Sequence, residues 1–154
     1  MTASNSHMFS LHRYFLWSDR LKTNFLNTLN GQSVQELINK KQASFETNMA
    51  MSYWYASTYV VIEGWRELGL DDSEINGMLE SPYAELLKQY RKSVCHFQKN
   101  YFDQNYFFLI KEGRTAAEWM FSLSSAFDRY FKNWLNSIRD EEKTLIKSSG
   151  DELF

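Results

Sequence analysis

The stretch MAMSYWYASTYVVIEGW, residues Met49–Trp65, admits two readings. Its β-branched and aromatic side chains suit a strand. No second stretch of comparable quality exists to pair with it, so a lone strand there would leave its backbone groups unsatisfied. Read as a helix, it is apolar on nearly every side, which predicts a central helix surrounded by others. The same helix begins earlier. Ser33 and Glu36 have capping-box spacing, and Val34, Leu37, Ile38 and Phe45 carry the apolar pattern forward. It runs on from Ser33 or is kinked near Lys40–Ser44. Glu63 is the odd residue in its apolar end. A carboxylate there needs exposure or a partner. Arg66 or solvent satisfies it locally, whereas Arg91 would orient it for chemistry.

Working outward, Leu11–Leu29 predicts a first helix with Tyr14, Trp17, Leu21, Phe25 and Leu29 as its buried stripe, widened by Phe15 and Leu26. Asn30-Gly31 ends it. His12 and Arg13 read as surface residues at the helix start, where an anion would otherwise sit. After Gly69, the Asp71/Glu74 spacing predicts a short helix to Leu79. Ser81-Pro82 is an N-cap followed by proline at the first helical position, opening a helix over Pro82–Tyr101. Its stripe is Tyr83, Leu86, Leu87, Tyr90, Val94, Phe97 and Tyr101. Asp103 caps a short helix through Ile110. Gly113 breaks the chain, and Thr115/Glu118 open a last long helix with Ala116, Met120, Leu123, Phe127, Tyr130, Phe131, Trp134 and Ile138 on one face. The prediction is an all-α fold, an up-and-down bundle of four main helices plus one or two short helices. Residues 8–147 form the single domain, 1–7 read as an expression remnant or disordered lead, and 148–154 as a frayed tail.

The outer side of the Pro82–Tyr101 helix carries the chemistry. Arg91 and His96 are five residues apart, hence about 140° apart around a helix axis, with Lys92 and Lys99 between them. One always-charged side chain and one titratable side chain share that face. This Arg91-x4-His96 pattern, on a late helix of a small all-helical chain, resembles the HEPN domain family (higher eukaryotes and prokaryotes nucleotide-binding). The resemblance covers the motif helix and the helical pattern of the chain. Where the family usually carries a small polar residue after the arginine, this sequence has Lys92. Many members are metal-independent endoribonucleases, often toxins or antiviral effectors, in which Arg and His of two protomers meet in a cleft at the dimer interface. The resemblance therefore implies an RNA-binding protein or metal-independent endoribonuclease. The resemblance makes Arg91 and His96 the expected catalytic residues; from their place on the same cationic face Lys92 and Lys99 are expected to contact substrate, and Glu63 to support Arg91. A cognate antitoxin or other protein partner is also implied.

Other chemistries find little to work with. No paired Cys or paired His stands at metal-ligand spacing, so no metal or cofactor is expected. No glycine-rich loop is present to cradle a nucleotide's phosphates. Cys95 adjoins His96, but adjacent helical side chains diverge by about 100°, a poor nucleophile–base geometry. A net charge of −2 argues against a protein that coats nucleic acid, without excluding a local basic cleft. One cysteine fits a reducing cytoplasm, and no apolar run approaches the ~20 residues that span a bilayer. The 12 Phe, 9 Tyr and 5 Trp also support a different reading, a non-catalytic interaction protein that holds a partner protein or small apolar ligand on aromatic surfaces. One histidine per chain at the motif cannot be both acid and base, which points to two chains. Light scattering should show a homodimer, twice the 18.3 kDa chain mass. A single species at chain mass up to high micromolar concentration would overturn it.

Overall fold

Trp54, Ile62 and Trp65 are sealed from solvent. The Met49–Trp65 stretch is indeed a helix. The computed structural model describes residues 4–30, 40–101 and 103–151. Among them are six helices: α1 (Asn5–Asn30), α2 (Lys40–Glu67), α3 (Ser73–Leu79), α4 (Pro82–Cys95), α5 (Gln104–Lys111) and α6 (Gly113–Asp151). No strand occurs among the described residues. The predicted Gly31 cap and the Ser33/Glu36 capping box lie outside them.

Side-chain pairs fix the directions. Ser18 meets Thr58 at 2.9 Å and Phe25 stacks on Trp54, so α1 and α2 are antiparallel. Tyr90 reaches Ser52, while Arg66 donates to the Leu79 carbonyl just before α4, so α4 runs against α2. Trp54 meets Phe121 and Trp65 meets Phe127, so α6 runs with α2. The four long helices alternate up and down, as the sequence predicts. The core is largely ring against ring: Phe15, Phe127 and Phe131 pack together, with Trp65 against Phe127.

The cleanest part of the sequence reading is α6. Its stripe of Ala116, Met120, Leu123, Phe127 and Phe131 is buried, with Tyr130, Trp134 and Ile138 half-buried. The helix starts at Gly113, whose φ of +50° suits a residue without Cβ, so Thr115 lies inside it rather than capping it. It continues through Ser148 to Asp151. α2 ends where expected. Gly69, at φ +60°, donates to the Arg66 carbonyl and Leu70 to that of Trp65, a Schellman closure. The cap of α3 is Asp72, one residue beyond the predicted Asp71. It accepts from the Glu74 and Ile75 amides and from Arg129. Asp71 instead accepts from the Asn76 side chain. The Arg129 guanidinium, the leading cause, holds the Asp72 carboxyl below its ordinary range.

α1 departs most from expectation. It begins at Asn5, so Asn5–His7 are helical. Its buried residues are Met8, Leu11, Phe15, Ser18 and Phe25, whereas Tyr14, Trp17 and Leu29 are exposed. The true stripe contains a serine, satisfied by Thr58 in the core, and a sequence scan for apolar spacing passes over it. α2 is likewise not enclosed on every side, because Phe45, Met49 and Tyr53, four apart along the helix, are exposed.

His12 also moves. It lies well inside α1, half-buried, with its ring 5.2 Å from Phe131 and 6.0 Å from Trp134. Burial lowers its pKa from the ordinary 6.5. A histidine whose folded pKa is depressed favours the fold when neutral. Its contribution is complete above about pH 6.5 and is lost as pH falls through the lower folded value. His12→Leu should therefore show a smaller fall in melting temperature than the parent between pH ~7.5 and ~5.5. Equal falls would mean that His12 is not part of the acid response.

Candidate functional site

α4 is held in rotation by Tyr90. The ring is fully buried, its hydroxyl lies 2.8 Å from Ser52 Oγ, and it stacks on Tyr106 with centroids 5.2 Å apart. Burial raises its pKa, and that of Tyr55 to about 12, so both phenols stay neutral. With Tyr90 facing inward, its neighbour Arg91 reaches α2 at Tyr59 and Glu63. Arg91 Nη1 donates to Glu63 Oε1 at 3.2 Å, and the guanidinium carbon lies 5.9 Å from the Tyr59 ring centroid. Tyr59 and Glu63 are one helical turn apart, so α2 presents a ring and a carboxylate together to one cation. Of Glu63's two readings, the pairing with Arg91 is the one formed, and Arg66 goes to the Leu79 carbonyl instead. Arg91 Nε is buried with no hydrogen-bond partner among the described residues.

The motif helix ends earlier than its apolar spacing suggests. α4 stops at Cys95. His96 is its C-cap, in extended backbone at φ −123° and ψ 135°, donating its amide to the Lys92 carbonyl at 3.0 Å. The Gln98 side-chain amide donates to the His96 carbonyl at 3.1 Å and adds a second, longer bond at 3.5 Å to the Lys92 carbonyl, which already accepts from the His96 amide. Phe97 and Tyr101 therefore leave the predicted stripe. They are 91% and 85% exposed. The ~140° separation of Arg91 and His96 does not apply either, since His96 is past the last helical residue.

His96 borders an open groove of about 620 Å³ between the start of α2, the end of α4 and the start of α5. Asn48, Ser93, Phe97, Asp103 and Tyr106 share its wall. The Ser93 hydroxyl donates to the Asp103 carboxylate, which also caps α5 by accepting from the Asn105 amide. Asp103 is thus the cap the sequence suggests, with a second role no spacing rule reveals. Arg91 and Glu63 do not line this groove, and neither do Lys92 and Lys99, both exposed. Within one chain the structure joins Arg91 to Glu63, and His96 to the groove, at the same end of α4.

Tyr59 and Ser93 are the contributors that the sequence reading passed over. An aromatic four residues before a carboxylate is the signal for the first. Ser93 has none. No cluster of three or more His, Cys, Asp or Glu side chains arranged to hold a metal occurs among the described residues. No helix there is long and apolar enough to cross a membrane. Compared with protein-family models, curated proteins and solved structures, the chain gives no match.

Burial separates scaffold from site. Tyr90→Ala should destabilise by about 3–5 kcal/mol, as for other buried aromatic truncations. Phe97→Ala should change stability by less than about 0.5 kcal/mol, since its ring contacts solvent. Denaturant titration of the two variants checks this, and a large loss in Phe97→Ala would place that ring in a packed interface.

Proposed function

We propose that this chain is a HEPN-like RNA-binding protein acting as a metal-independent endoribonuclease of the toxin or defence type, with Arg91 and His96 of two copies meeting across a dimer cleft. The observation that carries this reading is the anchored guanidinium. Arg91, near the C-terminal end of α4, is held by Glu63 and Tyr59 of α2, and the exposed His96 caps that same end. An arginine fixed by its neighbours grips phosphate oxygens with little further ordering. An exposed imidazole is the side chain best suited to proton transfer near neutral pH.

The chemistry needs three tasks. One His96 takes the proton from a ribose 2′-hydroxyl as its oxygen attacks phosphorus. The P–O5′ bond breaks, and the partner's His96 protonates the departing 5′-oxygen. The products are a 2′,3′-cyclic phosphate and a free 5′-hydroxyl. Arg91 stabilises the charge of the five-coordinate phosphorus between them. Glu63 holds Arg91 in place, and Lys92 and Lys99 add positive charge along the strand.

A second reading draws support from another face. Tyr14 and Trp17 are exposed on α1, and the Arg13 guanidinium lies 5.5 Å and 5.3 Å from their ring centroids. Such an aromatic and arginine patch is the composition of a protein-binding surface, and would suit a non-catalytic interaction module.

Mixed RNA incubated with the purified chain in EDTA discriminates the two. Cleavage leaving cyclic phosphate ends should fall by about 10²–10⁴-fold in His96→Ala. Arg91→Lys should not restore full rate, because lysine keeps the charge and loses the planar fork. Melting temperatures of both variants should stay near the parent's. Cleavage that survives both substitutions, or no action on RNA at all, would overturn the nuclease reading and leave the interaction module in its place.

A further inference from the structure

Phe97 is the least expected side chain in the molecule. It is 91% exposed, in a chain that has buried larger rings elsewhere. It follows His96 directly, and Tyr101, 85% exposed, lies four residues on. Both rings border the same groove as His96. The surrounding charge is one-sided. From Lys88 to Tyr101 the chain carries Lys88, Arg91, Lys92 and Lys99 and no carboxylate, although its net charge is −2. Arg91 is ion-paired with Glu63, while none of the three lysines is ion-paired among the described residues.

We propose that Phe97, with Tyr101 bordering the same groove, is a stacking platform for an unpaired base of the RNA strand bound at the Arg91–His96 end of α4. The inference rests on the RNA reading above and adds what the site recognises. Exposed rings in a segment whose lysines are not ion-paired among the described residues complement a flexible polyanion whose monomers have flat apolar faces. A base can stack on a side chain only after leaving its neighbours, so the platform selects single-stranded segments over duplex. Stacking tolerates any base, so the site reads strandedness rather than sequence. It also sets position, because a base seated on the residue next to His96 holds the adjoining phosphate beside that imidazole.

The test uses the full chain and a fluorescent 2′-O-methyl oligouridylate of about 12 nucleotides, which cannot be cleaved through its 2′-oxygen and is of single-strand site size. Anisotropy should show Phe97→Ala binding it about tenfold more weakly or worse, with Phe97→Trp close to the parent. The same strand in a duplex should bind weakly and respond to neither substitution. Lys99→Ala should weaken both RNAs and flatten the salt dependence, as loss of a phosphate contact does. Single-strand affinity unchanged in Phe97→Ala, with wild-type binding intact, would overturn the platform and leave the RNA reading standing. A change of oligomeric state in place of affinity would assign the ring to contact with a second copy, and overturn it too. Wild-type protein that binds neither RNA would remove both proposals together.

Discussion

Tyr90 ties three helices at one point. Its ring is enclosed between Tyr55 on α2 and Tyr106 on α5, and its hydroxyl meets Ser52 inside the core. A buried phenol has little rotational choice once it is stacked on one ring, in T-shaped contact with another, and its hydroxyl is hydrogen-bonded. The rotation of α4 about its own axis is set with it. At about 100° per residue, Arg91 then turns toward Tyr59 and Glu63, and Ser93 toward Asp103. The neighbours of Tyr90 on α4 that carry chemistry owe their direction to a residue that has none.

How much of this was legible follows the strength of each local signal. The stripe of α6 could be read directly because its three- and four-residue spacing is filled by apolar side chains alone. In α1 the aromatic surplus supplied two candidate faces. The buried one includes Ser18, whose acceptability depends on Thr58 forty residues away. Helix starts with a side-chain cap were found to within a residue, as Ser81 and Asp72 show. The end of α4 was not. Neither Gly nor Pro marks it, and Val94, Phe97 and Tyr101 keep helical spacing past the point where Gln98 folds back on the Lys92 and His96 carbonyls. That termination is tertiary, since Ser93 and Asp103 also bind the end of α4 to the start of α5.

The same distinction divides the site. Glu63 was visible as an anomaly, a carboxylate in an apolar end, and Arg91 as a cation on the facing helix. Choosing between Arg66 and Arg91 as its partner required the rotation of α4. With the guanidinium 30% and the carboxylate 43% exposed, the pair adds little to stability, of the order of 0–1 kcal/mol. Its effect is on geometry. It removes the freedom of a long side chain that must otherwise be ordered when an anion binds.

The end of a helix sets one further condition on any anion at this site. The last carbonyls of α4 carry partial negative charge, which repels phosphate along the axis. Lys92 in the last turn and Lys99 beyond it offset that field, and Gln98 occupies the Lys92 and His96 carbonyls. A polyanion is then best accommodated from the side, across the Arg91 face and past His96, rather than end-on. The exposed ring of Phe97 and the Asp103 carboxylate both border the groove beside this face. Asp103 is a carboxylate and would repel a phosphate. Its engagement with the Ser93 hydroxyl and the Asn105 amide spreads that charge over two donors, so the groove wall repels an anion less than its composition suggests.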